Sequence, residues 1–85
     1  MTTNADVLAD AARALQHLPT PTTGQWEQIR PILCAWLDRE SMIVQVETAK
    51  LVADYGVDPG RADDYAADTT STILARNLAE RVLGR

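Results

Sequence analysis

The sequence predicts an all-α protein, a small bundle of three to five helices that forms one domain of 85 residues. Apolar residues recur three and four positions apart along much of the chain, which is the spacing of one helix face. Prolines and glycines separate these stretches and mark their ends. Residues 42–46 are β-branched enough for a strand, but one strand has no sheet to join unless two chains pair. The predicted helices lie near residues 5–18, 25–40, 42–55, 59–66 and 70–83.

The first helix has the clearest periodicity, and its apolar stripe consists of Leu8, Ala11, Ala12, Leu15 and Leu18. Asn4 or Asp6 can cap its first amides. The segment 19–24 contains two prolines, which lack amide donors and favour extended geometry before them. We therefore expect the helix to end before Pro19, and Thr22 or Thr23 to cap the next one.

The second helix carries a stripe made of Trp26, Ile29, Leu33, Trp36 and Leu37. Pro31 lies too deep in it for a first-turn proline, which predicts a kink or a start nearer Arg30. Extending the helix to residue 55 would place Glu40, Glu47 and Asp54 within the stripe, and buried carboxylates without partners are costly. We therefore expect a break near residues 39–41, while one continuous helix over 25–55 stays open.

Residues 42–55 are apolar on nearly every side, and Ser41 is a suitable cap for a helix that begins there. Such a helix must be covered from several directions, by its own neighbours or by another chain. We therefore predict that this segment is the centre of the bundle. Its apolar residues are Met42, Ile43, Val44, Val46, Ala49, Leu51, Val52, Ala53 and Tyr55.

Two shorter helices complete the predicted bundle. Gly56 suits a left-handed helix end, and Asp58 followed by Pro59 is a typical start for the next helix. Residues 60–72 are polar and small, so this start is the main signal for a helix near 59–66. The last helix has an apolar face and ends at Gly84. That face contains Ala67, Ser71, Leu74, Ala75, Leu78 and Val82.

Composition disfavours several classes of function. Twelve acidic and eight basic residues give a net charge of −4, whereas phosphate-backbone binding requires clustered Lys and Arg. Nucleic acid is therefore disfavoured as a partner. No apolar run approaches the roughly 20 residues of a membrane span, and the first residues lack the pattern of a secretory signal. We expect a cytoplasmic protein without a membrane partner.

The alternative function is that of a divergent helix-turn-helix regulator. Residues 51–58 imitate the first helix and the turn of that DNA-binding unit. The supposed reading helix, however, combines Arg61 with Asp63, Asp64 and Asp68, and carboxylates repel phosphates. Convergence of a basic patch would favour DNA binding, and its candidates are Arg13, Arg30, Arg76, Arg81 and Arg85. Without such a patch, the pattern predicts an ordinary helical hairpin.

No motif predicts a catalytic, cofactor or metal site, and we expect a protein that is not an enzyme. The acidic residues between 54 and 68 lack the spacing of a calcium loop. Glu40 and Glu47 lie about 10.5 Å apart along a continuous helix, too far to share one glycosidic bond. Cys34 and His17 are the only residues of the types that form a catalytic cysteine–histidine pair. Cys34 lies among apolar neighbours in the sequence, which predicts a packed thiol. One cysteine also excludes an intrachain disulfide.

The remaining hypothesis is a non-enzymatic protein-interaction module or small regulator that self-associates as a homodimer. Of the 39 apolar residues, 13 are alanines and none is phenylalanine, so a single chain fills its core thinly. A domain of this size usually needs a supplementary source of stability, and association is the one still open. The tryptophans suit either the core or a partner surface. The candidate interface residues are Trp26, Trp36, Ile43, Val44, Val46, Leu51 and Tyr55.

Both ends of the chain resemble short uncharacterised helical proteins of high-GC bacteria and their phages. The similar segments are ADVLADAARAL at residues 5–15 and LARNLAERVLG at residues 74–84. The resemblance implies a prokaryotic or phage source and a partner that is a host or neighbouring protein. It implies no activity, cofactor or site residue.

Overall fold

The computed structural model describes residues 2–17 and 24–84, and within these ranges the chain forms four helices and no strand. The helices are α1 (Asn4–His17), α2 (Gly24–Tyr55), α3 (Pro59–Ala66) and α4 (Thr70–Val82). The prediction of a small all-α bundle is confirmed. Residues 42–46 lie inside α2, so the alternative of a strand is wrong. The predicted connection at 19–23 and its threonine caps lie outside the described residues.

The largest departure from the predicted elements is that residues 24–55 form one helix, not two. This helix begins at Gly24 and includes Pro31, so the expected start nearer Arg30 is wrong. The expected break near residues 39–41 is also wrong. Its 32 residues, at about 1.5 Å each, account for the long dimension of the molecule, which measures 48 × 20 × 18 Å.

Glu40 explains why the helix does not break. Its carboxylate is only 6% exposed, and it accepts hydrogen bonds from Ser71 Oγ at 2.5 Å and from Thr72 Oγ1 at 3.0 Å. The cost of burying a carboxylate falls when hydroxyl donors replace its lost water. Ser41 is buried as well, and it donates to the carbonyl of Ala5 at 2.8 Å instead of capping a helix. Donors from α4 therefore make the continuous helix possible.

Helix α1 is the most enclosed element of the bundle, which corrects the prediction that residues 42–55 occupy its centre. It packs between α2 and α4. Leu8 and Ala11 are fully buried, and Leu15 nearly so, as the periodicity predicted; Leu18 lies outside the described residues. Segment 42–55 instead has neighbours on one side only, because α1, α3 and α4 all pack against the same side of α2.

The start of α1 is capped differently from the expectation. Thr3 Oγ1 accepts from the amide of Asp6 at 3.1 Å, and the Asp6 carboxylate accepts from the amide of Thr3 at 3.3 Å, which is the reciprocal arrangement of a capping box. Asn4 does not cap the helix; its own amide donates to the Asp63 carboxylate at 3.1 Å. Side chain Nδ2 of Asn4 donates to the same carboxylate. Asp63 thereby joins α1 to α3.

The two short helices lie where the sequence placed them. Gly56 has a φ of +64°, the left-handed conformation that glycine adopts without strain. The Asp58 side chain accepts from the amides of Gly60 and Arg61 at the start of α3. Thr69 caps α4 by accepting from the amide of Thr72.

The core is thin, as the composition indicated. Among the described residues, 13 hydrophobic side chains are buried, and seven of these are alanines. Alanines on α1 and α4 let these helices approach closely but bury little apolar area each. The core therefore leaves much of the larger apolar surface of the chain uncovered.

Candidate protein-interaction surface

Helix α2 has two opposite apolar faces, and only one of them is used by the bundle. The inner face holds the buried residues of this helix, namely Cys34, Leu37, Glu40, Ser41 and Val44. The opposite face carries a second row of residues that we call the outer stripe. It consists of Ile32, Ala35, Arg39, Met42, Val46, Ala49 and Ala53.

The outer stripe has the spacing of a coiled-coil seam. Its members follow one another at alternating intervals of three and four residues over 22 residues of helix. This is the a and d spacing of a heptad, with a mean period of 3.5 residues. A row of this kind stays on one side of a helix and can meet the same row of a second helix. The sequence therefore builds a seam on the side of α2 that faces away from the bundle.

The outer stripe is open to solvent along its whole length. Ile32 is 68% exposed, Met42 is 65% exposed and Val46 is 63% exposed, and the other four members are exposed too. An open groove of about 650 Å³ runs over the middle of the stripe. It is lined by Ala35, Asp38, Arg39, Met42, Ile43, Val46 and Glu47. Exposed, contiguous apolar surface of this kind is typical of sites of association.

Charged side chains border the stripe, and Arg39 lies within it. Asp38, Arg39, Glu47 and Lys50 are all exposed. Two ion pairs in the described part of the chain join Asp10 to Arg13 and Arg76 to Glu80. Neither Arg39 nor Glu47 takes part in them. The groove over the centre of the stripe therefore presents one cation, Arg39, and two carboxylates, Asp38 and Glu47, to a partner.

The predicted interface residues fall into three groups. Ile43, Val46 and Tyr55 are exposed, and the first two line the groove. Val44 is fully buried in the core, so it cannot belong to the surface of this fold. Leu51 is half-buried.

Both tryptophans pack against the core of the same chain. Trp26 and Trp36 are half-buried and contact the buried cluster. Leu33, between them, does the same, whereas Ile29 of the predicted stripe is 45% exposed. The position of the tryptophans thus agrees with the core alternative, while each stays partly exposed.

The residues that sequence reasoning missed are Ile32, Ala35, Arg39, Met42, Ala49 and Ala53 as members of one surface. Their 3.5-residue period is present in the sequence and could have revealed them. It was obscured because the inner face repeats with nearly the same period, so the two rows interleave into an apolar helix without an evident polar side.

Cys34 and His17 do not form a catalytic pair. Cys34 is buried, and its Sγ donates to the carbonyl of Ala12 at 3.6 Å, whereas His17 is exposed at the end of α1. Burial raises the pKa of the Cys34 thiol; Asp38 also raises it, and Arg30 acts in the opposite direction. A protonated, enclosed thiol is a poor nucleophile.

Glu40 and Glu47 also have separate roles. Glu40 is engaged by Ser71 and Thr72 beneath α4, whereas Glu47 is exposed at the edge of the groove. Within residues 2–17 and 24–84, no three His, Cys, Asp or Glu side chains gather as metal ligands. The acidic residues between 54 and 68 instead include the helix cap Asp58 and the interhelix contact Asp63.

The helix-turn-helix resemblance corresponds to the end of α2, the turn at 56–58 and α3. Arg61, Asp64 and Asp68 are exposed on or just after α3, so its accessible surface carries more carboxylates than guanidinium groups. Arg13 is paired with Asp10, and Arg76 is paired with Glu80. Two of the proposed basic residues are thus neutralised locally; Arg85 lies outside the described residues. DNA binding stays a prediction.

Among the described residues, no helix combines the length and the apolar character that crossing a bilayer requires. Comparison of the chain with protein-family models, with curated proteins and with solved structures returns no match.

Proposed function

We propose that this protein is a non-enzymatic interaction module that self-associates through the outer stripe of α2. The observation that carries the proposal is the exposure of a complete heptad row on the side of α2 opposite the bundle. A helix that lay along this row would remove Ile32, Met42 and Val46 from water. Burial of apolar area is the principal favourable term in such an association.

The thin core supports association as part of the stability of the protein. Seven of the 13 buried hydrophobic residues in the described ranges are alanines, whereas several larger apolar side chains lie outside the core. Small domains commonly gain stability from oligomerisation when their own core is limited. A dimer would use those larger side chains for this purpose.

A second copy of the chain is the simplest partner for the stripe. The row combines large residues with alanines, so its own surface offers both projections and the spaces that receive them. A two-fold dimer uses one patch twice, which requires self-complementarity of this kind. Paired helices with a 3.5-residue seam are stable arrangements in water.

The test replaces two exposed members of the stripe by carboxylates. We expect the unchanged protein to sediment as a dimer at micromolar concentration in analytical ultracentrifugation, and Met42→Glu with Val46→Glu to sediment as a monomer. Both positions are exposed in the single chain, so the variant should retain its helical circular dichroism. Four carboxylates would otherwise have to be buried in one seam.

The matched control is Leu74→Glu on α4, where the side chain is 56% exposed and lies away from the stripe. This variant should remain a dimer. If the unchanged protein is a monomer up to about millimolar concentration, corresponding to a very weak association, self-association is refuted. Equal association of the stripe variant and the Leu74 control would refute the assignment of the surface.

A further inference from the structure

We infer that two copies pair antiparallel along the outer stripe, about a two-fold axis at the level of Val44, with each Arg39 within reach of the partner's Glu47. This inference rests on the proposed function, because it specifies how the second copy binds to the same surface. It is carried by the position of one charged residue within an otherwise apolar row and by the distribution of large and small side chains on either side of it.

A parallel arrangement conflicts with the position of Arg39. In a parallel, in-register pair, every residue of the seam faces its own counterpart in the other copy. Arg39 would then face the partner's Arg39 across a seam that excludes water. Like charges repel more strongly as the surroundings become less polar. The parallel pair also places Ala49 against another alanine, which leaves this layer poorly filled, whereas Ala35 and Ala53 face alanines in either arrangement.

The antiparallel arrangement places Arg39 against a small residue. When the axis passes at the level of residue 44, Met42 meets the partner's Val46, and Arg39 meets the partner's Ala49. Alanine leaves room for the arginine stem, which can lie along the seam while the guanidinium group reaches its edge. Large side chains therefore fill the centre of the dimer, and each arginine has space beside it.

The same arrangement gives Arg39 an opposite charge. Glu47 lies eight residues beyond Arg39, about 12 Å along the helix, which is too far for a contact within one chain. The midpoint between them is Ile43, which is 41% exposed and one residue from the level of the axis. Arg39 and the partner's Glu47 are therefore offset by only about 3 Å along the helix direction, which two long side chains can span. Each Arg39 then lies close to the Glu47 of the other copy. The dimer therefore contains two such charge pairs, one on each side of the axis. Charge complementarity of this kind fixes orientation and register.

A charge-exchange experiment tests the contact. We expect Arg39→Glu alone and Glu47→Arg alone each to weaken the dimer about tenfold, because each creates two like-charge contacts in place of two favourable ones. The double exchange, Arg39→Glu with Glu47→Arg, should restore affinity to within about threefold of the original. The control Asp64→Arg makes the same change of charge as Glu47→Arg, lies on α3, and should leave the affinity unchanged.

Disulfide trapping tests the orientation independently. In a Cys34→Ser background, one sample carries Ala35→Cys and a second, of distinguishable mass, carries Ala53→Cys. After mixing and mild oxidation, antiparallel pairing should yield the mixed disulfide between the two variants. Each variant should form little disulfide with itself, because two equivalent cysteines would lie about 27 Å apart along the dimer.

The outcomes separate this inference from the proposed function. Disulfides that join Ala35→Cys to itself, or a double exchange that does not restore affinity, would overturn the antiparallel register while the dimer persists. A chain that stays monomeric would refute the proposed function and this inference together. Selective mixed disulfides together with restored affinity would support the inference.

Discussion

Helix α1 and residues 42–55 of α2 show how differently a chain can use apolar residues. Helix α1 has one apolar stripe and several alanines, yet it is the most enclosed helix, with Leu8 and Ala11 fully buried. Residues 42–55 are apolar on nearly every side, yet Met42, Val46 and Tyr55 are each more than 60% exposed. The more apolar segment is the less buried one.

The number of neighbours explains the difference. Helix α1 lies between α2 and α4, and its small residues let both approach closely. Helix α2 is about 48 Å long, and the shorter helices pack against a single side of it. A second side stays uncovered because no further element remains in the described part of the chain to cover it. The apolar residues of a helix therefore indicate how much of its surface is favourably buried. The packing of the other helices decides how much of that surface is buried in fact.

Leu8→Ala should produce the largest effect on stability. Leu8 is fully buried, and truncating a buried leucine costs about 3 kcal/mol through lost transfer energy and the cavity that remains. Val46→Ala, on the outer stripe, should change the unfolding free energy of the monomer by less than about 0.5 kcal/mol. Urea unfolding followed by circular dichroism, at concentrations below dimerisation, measures both.

The volume-conserving change Leu8→Met is the control for this comparison and should cost less than about 1.5 kcal/mol. Equal costs for Leu8→Ala and Val46→Ala would show that the two helices are buried alike, which contradicts the contrast between them.

Glu40 and Glu47 sharpen the comparison within α2, because they are seven residues apart on one face and only the first is covered. Glu40→Ala should cost about 2 kcal/mol, since it removes the acceptor of two hydroxyl groups at a buried site. Glu40→Gln keeps one acceptor oxygen and should cost less. Urea unfolding of the monomer should show no measurable loss for Glu47→Ala. A Glu40→Ala variant as stable as the original protein would refute the structural role of this carboxylate.

Cys34 should produce the smallest effect, a dependence of stability on alkaline pH. The pKa of the thiol is raised above its ordinary value of 9.0 in the folded chain, chiefly by burial. The unfolded chain therefore loses its thiol proton first as the pH rises, which favours unfolding. The protonated thiol makes its full contribution to the free energy of unfolding below the ordinary pKa. This contribution is lost as the pH approaches the pKa of the thiol in the folded chain. Urea midpoints measured between pH 7 and pH 11 should fall less for Cys34→Ser than for the original chain.

Much of the fold could be predicted from local patterns. The stripe of α1, the glycine turn at 56 and the Asp58 cap are short-range features, and each depends on residues within a few positions. The break predicted near Ser41 failed for the opposite reason. It depended on whether Glu40 would find partners, and these partners are Ser71 and Thr72, about 30 residues further along the chain.

The candidate surface was predicted only in part. Ile43, Val46 and Tyr55 were identified because large apolar side chains are typical of interfaces. Val44 was included because the sequence does not show which side of the helix faces the core. The alanines and Arg39 were missed because they are not apolar enough to mark a surface individually. Their shared period becomes visible once the inner face has been located.

The sequence by itself determined that the chain is helical, that a turn falls at Gly56 and a new helix starts after Asp58, and that α2 carries more apolar surface than an ordinary bundle helix needs. These properties follow from side-chain periodicity and from local hydrogen bonding. Only the tertiary structure decided that α2 is continuous, that α1 is enclosed and that the outer stripe faces solvent. Those outcomes depend on contacts between distant residues, because burial is a property of neighbours in space.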